Sequence, residues 1–102
     1  RSLGAKSSAF DTIVAVGERA ALPHARPTPK SIGESPLLLV DWGAKQNHYH
    51  SDLTRVLITS KPTPKLERVF NTVLRAQQAG IDALRPGATC EEADRAARAV
   101  IE

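Results

Sequence analysis

Residues 37–58 hold two apolar, β-branched-rich runs, 37–42 and 53–58, on either side of a polar stretch. Two such runs around a turn specify a β-hairpin, and that pattern constrains the chain more than any other. A turn centred on Gln46-Asn47 predicts Lys45 facing His48 and Asp41 directly opposite Asp52. Directly opposed residues project to one face, with Cβ atoms about 4.5–5.5 Å apart. Carboxylates that close repel, so either one holds a proton or a cation lies between them. A hard divalent metal with oxygen ligands resolves the repulsion most economically. The alternative is an exposed hairpin with two solvated aspartates, since Asp is common near turns and Gln-Asn is not the usual Asn-Gly signal. Asp41, however, follows four apolar residues without a break. A surface strand alternates, so this strand is expected to be central and covered on both faces.

The hairpin carries further polar groups. Gly43 leaves room beside Asp41 for a ligand or another backbone. By alternation His50 and Thr54 share the face of Asp52. Thr54 could hydrogen-bond a carboxylate there and fix its orientation. The triplet His48-Tyr49-His50 suggests an imidazole metal ligand, with His50 the better placed because His48 falls in the turn.

Upstream, residues 1–9 read as a frayed polar lead-in and residues 10–16 as a strand with Thr12, Ile13, Val14 and Val16. Residues 17–36 hold four prolines and read as a loop, with a brief turn at 20–22. Loops of that length are often functional. His24 lies in it, and a loop histidine by itself is ordinarily just solvated. Arg26 and Arg55 could each pair with a carboxylate of substrate or protein, a structural ion pair being the equal alternative.

Downstream, Thr63 caps a helix with Pro64 at its first position. Leu66, Val69, Phe70, Val73, Leu74, Ile81 and Leu84 recur at helical spacing and predict one buried stripe, stopped by Pro86-Gly87. Thr89-Cys-Glu-Glu92 is a capping box for a second helix, whose apolar side is Ala93, Ala96, Ala97, Val100 and Ile101. That pattern runs to the end of the chain, so the second helix is expected to be cut short.

At 102 residues the chain can build one small domain with a modest core. Its net charge of +3 is scattered rather than striped, which argues against nucleic acid as a partner. No apolar run is long enough to cross a bilayer, and no signal peptide is seen. A single Cys90 excludes an internal disulfide and reads as a helix-start thiol without a task. The absence of Met is expected of an internal segment, a processed product or a chain whose start has been removed.

Four ordered motifs carry a resemblance: Phe10-Asp-Thr-Ile-Val-Ala-Val-Gly17, Ala20-Ala-Leu-Pro-His24, Leu39-Val-Asp41-Trp-Gly-Ala44 and Ser51-Asp52-Leu-Thr-Arg55. Over residues 3–102 the chain resembles the pita-bread metallopeptidases, the Xaa-Pro aminopeptidases and prolidases, with methionine aminopeptidase and creatinase as relatives. The resemblance implies an α+β fold, part of a duplicated architecture built on a curved antiparallel sheet. Residues 1–59 would be the strand part of the first half and residues 60–102 the helices opening the second. It also implies two divalent metal ions, Mn, Co or Zn, held in part by Asp41 and Asp52, with Asp52 bridging. His24 falls on the histidine that contacts substrate and helps move protons. Thr54 would support the carboxylates; His50 and Arg55 are weaker candidates, and His48 and His50 depart from the small residues usual there. One His and two Glu ligands of the family have no counterpart in this sequence.

The implied activity is hydrolysis of peptide bonds near the N-terminus, next to proline, on peptide substrates. The implied parent is a cytoplasmic homodimer acting on neither nucleic acid nor membrane. The 102 residues alone are expected to be inactive, to bind metal weakly or not at all, and to be a marginal monomer or to self-associate through open sheet edges. Two alternatives stand beside this. One is a non-peptidase relative of the same fold, a creatinase-like hydrolase or a binding protein, because fold does not fix chemistry. The other is an interaction module using the helical stripe at 66–84.

Overall fold

The computed structural model describes residues 4–102. The part of the lead-in at residues 1–3 lies outside the described residues. The chain divides into two compact units, Arg1–Lys61 and Pro62–Glu102. The first contains six short strands: β1 (Ser7–Ser8), β2 (Ile13–Val16), β3 (Leu37–Trp42), β4 (Ala44–Gln46), β5 (Tyr49–His50) and β6 (Leu53–Ile58). The second contains two helices, α1 (Pro64–Ala83) and α2 (Cys90–Ile101).

The strands form two antiparallel sheets, in the orders β2-β3-β6 and β1-β4-β5. One long hairpin runs through both. Its first arm is β3 then β4, its second β5 then β6, and the arms change sheet at Gly43 and at Ser51-Asp52. At that corner the ladder is rewired. Ser51 N–H donates to Ala44 O (2.9 Å), but Ala44 N–H donates to Ser51 Oγ (2.9 Å) instead of to a carbonyl. The Gly43 carbonyl accepts from Ala9 N–H (2.9 Å). A Cβ at residue 43 would collide with the Ser51 carbonyl oxygen and come within 2.9 Å of Ala9 Cβ and of the Phe10 ring. Of the two uses expected for the space beside Gly43, a second backbone takes it.

β3 is the central strand of its sheet, as its unbroken apolar run requires. Leu38 is buried on one face, and Ala15 of β2 is buried on the other. Coverage is incomplete, since Val14, Trp42, Leu53, Leu57 and Ile58 remain exposed. The lead-in is not frayed throughout, because Ser7-Ser8 pair with Ala44-Lys45. β2 starts three residues later than the composition of 10–16 suggests, at Ile13, which is the ladder partner of Asp41.

The long loop opens with a 3-10 turn at Gly17–Ala21 and is then tied down by side chains. Lys30 Nζ donates to both carboxylate oxygens of Glu18 (2.9 and 3.0 Å). Arg19 Nη2 donates to the Arg26 carbonyl (3.0 Å), and Ala25 is buried. The loop's exit is held where Thr59 Oγ1 donates to Ser35 O (2.9 Å).

In the helical unit both caps form as the sequence implies. Leu66 N–H donates to Thr63 Oγ1 (3.2 Å) with Pro64 next in line. Thr89 and Glu92 exchange reciprocal bonds, Thr89 N–H to Glu92 Oε2 (2.7 Å) and Glu92 N–H to Thr89 Oγ1 (3.2 Å). The helices meet along small residues: Ala76 is buried, and a Cβ at Gly80 would lie 3.5 Å from Ala97 Cβ. The single buried stripe expected on α1 is therefore corrected. Leu66 and Phe70 are half-buried, whereas Val69, Val73, Leu74, Ile81 and Leu84 are exposed. Ala76 and Gly80 lie where the helices meet, because small side chains permit close approach.

Candidate active site

The hairpin turn decides how the polar groups meet. Asn47 and His48 both adopt positive φ, 47° and 69°, so they are the two turn residues. Consecutive positive φ values are those of the turn type that matches strand twist. The turn thus lies one residue later than Gln46-Asn47 suggests, and Lys45 faces His50 rather than His48. Moving the centre by one residue moves every pairing by two. Asp41 faces Thr54 on one side and Ile13 on the other, not Asp52.

A shift of two residues preserves the face, because side chains alternate with period two. Asp52 stands just before β6, outside the ladder whose last pair is Trp42 with Leu53, so it does not lie directly opposite Asp41. The forced contact between carboxylates is gone, and repulsion alone no longer argues for a cation. What replaces it is a burial defect. Asp41 Oδ1 is shielded from solvent and has no hydrogen-bond partner among the described residues. A buried, unpaired carboxylate oxygen is costly, and such groups ordinarily serve a ligand or ion.

Asp41 and Asp52 open into one cleft of about 650 Å³. One wall is residues 10–13 and the other is the loop segment 23–27, which brings His24 and Arg26. His24 is exposed on this wall, next to the buried Ala25 that anchors it. The fold thus gathers His24, Asp41 and Asp52, three residues drawn from a loop and two strands. Thr54 is the neighbour of Asp41 across the ladder, yet Asp41 Oδ1 stays unbonded beside it.

The remaining candidates lie elsewhere. His50 belongs to the other sheet, paired with Lys45 and exposed. Arg55 faces Val40, one step from the Asp41–Thr54 pair, so it projects from the opposite face, and its Nη1 donates to Thr54 O (2.8 Å). Cys90 is exposed at the start of α2. Sequence reasoning missed the wall formed by residues 10–13. The signal was available in Ile13, since pairing β2 with β3 sets the start of β2 against Asp41.

Among the described residues no three His, Cys, Asp or Glu side chains are clustered as a metal site. The donor set nonetheless fits part of one: two carboxylates on one cleft, one with an unused buried oxygen, suit hard divalent ions. No helix among the described residues is long and apolar enough to cross a membrane.

Mixed α+β architecture, antiparallel sheets and an acidic cleft beside a histidine define a class that comparison with known proteins makes specific. The chain matches the model of metallopeptidase family M24 over residues 1–102 and belongs to that family. It is 42% identical over 99 residues to the Xaa-Pro dipeptidase of Pyrococcus furiosus, covering 97% of this chain and 28% of the relative. Among solved structures it superposes on the prolidase from Pyrococcus furiosus with a TM-score of 0.87 at 43% identity, covering 96% of this chain and 29% of that one. The X-Pro aminopeptidase from Thermotoga maritima gives 0.86 at 37% identity, covering 99% and 29%. The architecture is part of the pita-bread fold. The chain spans just over a quarter of the length of the relatives it matches.

Proposed function

We propose that these residues supply part of the active site of a dinuclear metal-dependent exopeptidase, most like an Xaa-Pro aminopeptidase or prolidase. The observation that carries the reading is the buried, unbonded Asp41 Oδ1 on the same cleft as Asp52 and His24. Asp41 and Asp52 would hold the metals. When bound, such ions lower the pKa of water and polarise a carbonyl. His24, on a wall anchored by Ala25, orients the peptide and can pass a proton through its imidazole. Thr54 stands opposite Asp41 across the ladder, where its hydroxyl would support the carboxylate once the metals are bound. Mn, Co or Zn as the metals, a homodimeric assembly and a cytoplasmic setting belong to the same proposal.

Two carboxylates are an incomplete ligand set, so the 102 residues alone should bind Mn²⁺ weakly and be inactive. In the full-length enzyme, Asp52→Ala should reduce metal-dependent hydrolysis of an Xaa-Pro peptide by about 10³-fold or more, since metal stabilisation of the transition state amounts to several kcal/mol. Steady-state kinetics with added Mn²⁺ measures this, and turnover equal to wild type would refute the assignment.

A further inference from the structure

The loop segment that carries His24 has little of its own to hold it. Residues 23–29 belong to no strand or helix, and the prolines at 23, 27 and 29 offer no backbone N–H. Among the described residues one side-chain hydrogen bond reaches the segment, from Arg19 Nη2 to the Arg26 carbonyl (3.0 Å). We propose that Arg19 is a positioning residue. By closing the loop from residue 19 to residue 26 it sets where His24 stands relative to Asp41 and Asp52. The proposal rests on the peptidase reading.

Three observations carry it. The anchor is firm. Arg19 lies in the 3-10 turn that follows β2 directly, and β2 ends on the buried Ala15 and Val16. β2 is laddered to β3, with Ile13 opposite Asp41, so Arg19 is rooted in the sheet that carries that aspartate. Next, the tether is short. His24 is two residues from the bonded carbonyl, with Pro23 before it and Pro27 after Arg26. Each proline fixes its own φ and biases the residue before it toward extended backbone, which Leu22 adopts (φ −92°, ψ 119°). A shift at Arg26 therefore reaches the imidazole with little slack to absorb it. Finally, the donor is free for this task. Arg19 is half-buried and belongs to none of the ion pairs among the described residues. Its neighbour Glu18 takes Lys30 instead, which ties the loop beyond residue 29 and leaves residues 23–29 to Arg19.

A charged donor makes a stronger hydrogen bond to a carbonyl than a neutral one. Because the bond is made to the main chain of the His24 segment, it acts on the place of the imidazole and not on the chemistry of the ring. Placement converts to rate steeply: a misplacement of about 1 Å can cost about 10²-fold.

The test is a double-mutant cycle on the metal-loaded full-length enzyme. It reads kcat/KM for an Xaa-Pro dipeptide, with a thermal melt of each variant to check folding. Arg19→Gln should lower kcat/KM by about tenfold or more when His24 is present. In the His24→Ala background the same change should cost less than about twofold, because nothing is left to position. Arg19→Lys, which keeps a charged donor, should recover part of the loss. If the glutamine variant does not fold, the same cycle is run with Arg19→Lys. An equal loss in both backgrounds would overturn the proposal and mark a merely structural role, as would full activity in Arg19→Gln. Wild-type kcat/KM in His24→Ala alone, or a wild-type enzyme that leaves the dipeptide intact, would instead overturn the peptidase reading of this cleft, and this proposal with it.

Discussion

The two units of the chain solve opposite problems. The helical unit satisfies its own polar groups locally: Thr63 and the Thr89–Glu92 box serve the free N–H groups of each helix start, and the helices touch along Ala76, Gly80 and Ala97. The strand unit tolerates a buried carboxylate oxygen with no partner and opens an 11-residue-lined cleft over it. One region is arranged for regularity and the other gives up regularity to expose donors. The difference teaches where substitutions will hurt, and the same change should act with opposite sign in the two units.

Gly43→Ala is the harshest test of that contrast. The added Cβ meets the Ser51 carbonyl, which cannot move without breaking the sheet corner, and crowds Ala9 Cβ and the Phe10 ring. A loss of about 3 kcal/mol or more is expected, at the upper end for overpacking. Denaturant unfolding measures it, and a variant as stable as wild type would dissolve the distinction. Thr89→Ala comes next. It removes the hydroxyl that accepts from Glu92 N–H, leaving only the backbone N–H bond to Glu92, and should cost about 1 kcal/mol, read as a lower midpoint for loss of helical circular dichroism.

Gly80→Ala should do the reverse. Its Cβ would lie at ordinary contact distance, 3.5 Å from Ala97 Cβ and 3.7 Å from Ala93 O. Removing a mid-helix glycine should then stabilise by up to about 1 kcal/mol. A destabilised variant would mean that the helices pack more tightly than these distances allow.

The smallest effect is a pH dependence in the loop. The hydrogen bond from Lys30 holds the Glu18 carboxyl below its ordinary value of 4.5, helped by a backbone hydrogen bond and by the lysine's charge. A depressed folded value means the contribution is present above the unfolded pKa and fades as pH falls through the folded one. Glu18→Gln should therefore be slightly less stable than wild type near neutral pH and indistinguishable from it well below 4.5. Because the pair is exposed, the gap is expected to be small. Thermal melts at several pH values would reveal a wider gap if the loop depended on it.

Helix starts were legible to the residue, because Thr-Pro and Thr-x-x-Glu signal through local chemistry that needs no knowledge of the fold. Helix faces were not: the run of large apolar residues on α1 outweighed Ala76 and Gly80, although close approach favours the small ones. In the strand unit the hairpin was legible and its register was not. Non-glycine residues hold positive φ at Asn47 and His48; Asn and His tolerate that region better than Gln does, a signal weaker than the usual Asn-Gly pair. The aspartates still line one cleft, although Asp52 stands outside the ladder. The cleft's second wall was hidden because it depends on β2 lying against β3, a contact between distant parts of the chain.

The bare position at residue 43 has a consequence for ligand capture. Asp41 and Asp52 sit on either side of a corner where two backbones nearly touch, so main-chain geometry determines their separation more than side-chain packing does. Freedom that a ligand would otherwise have to freeze out is already gone from the folded corner. Under the proposed metal role, an arriving ion would meet preorganised donors, and affinity would be gained from rigidity without any added contact.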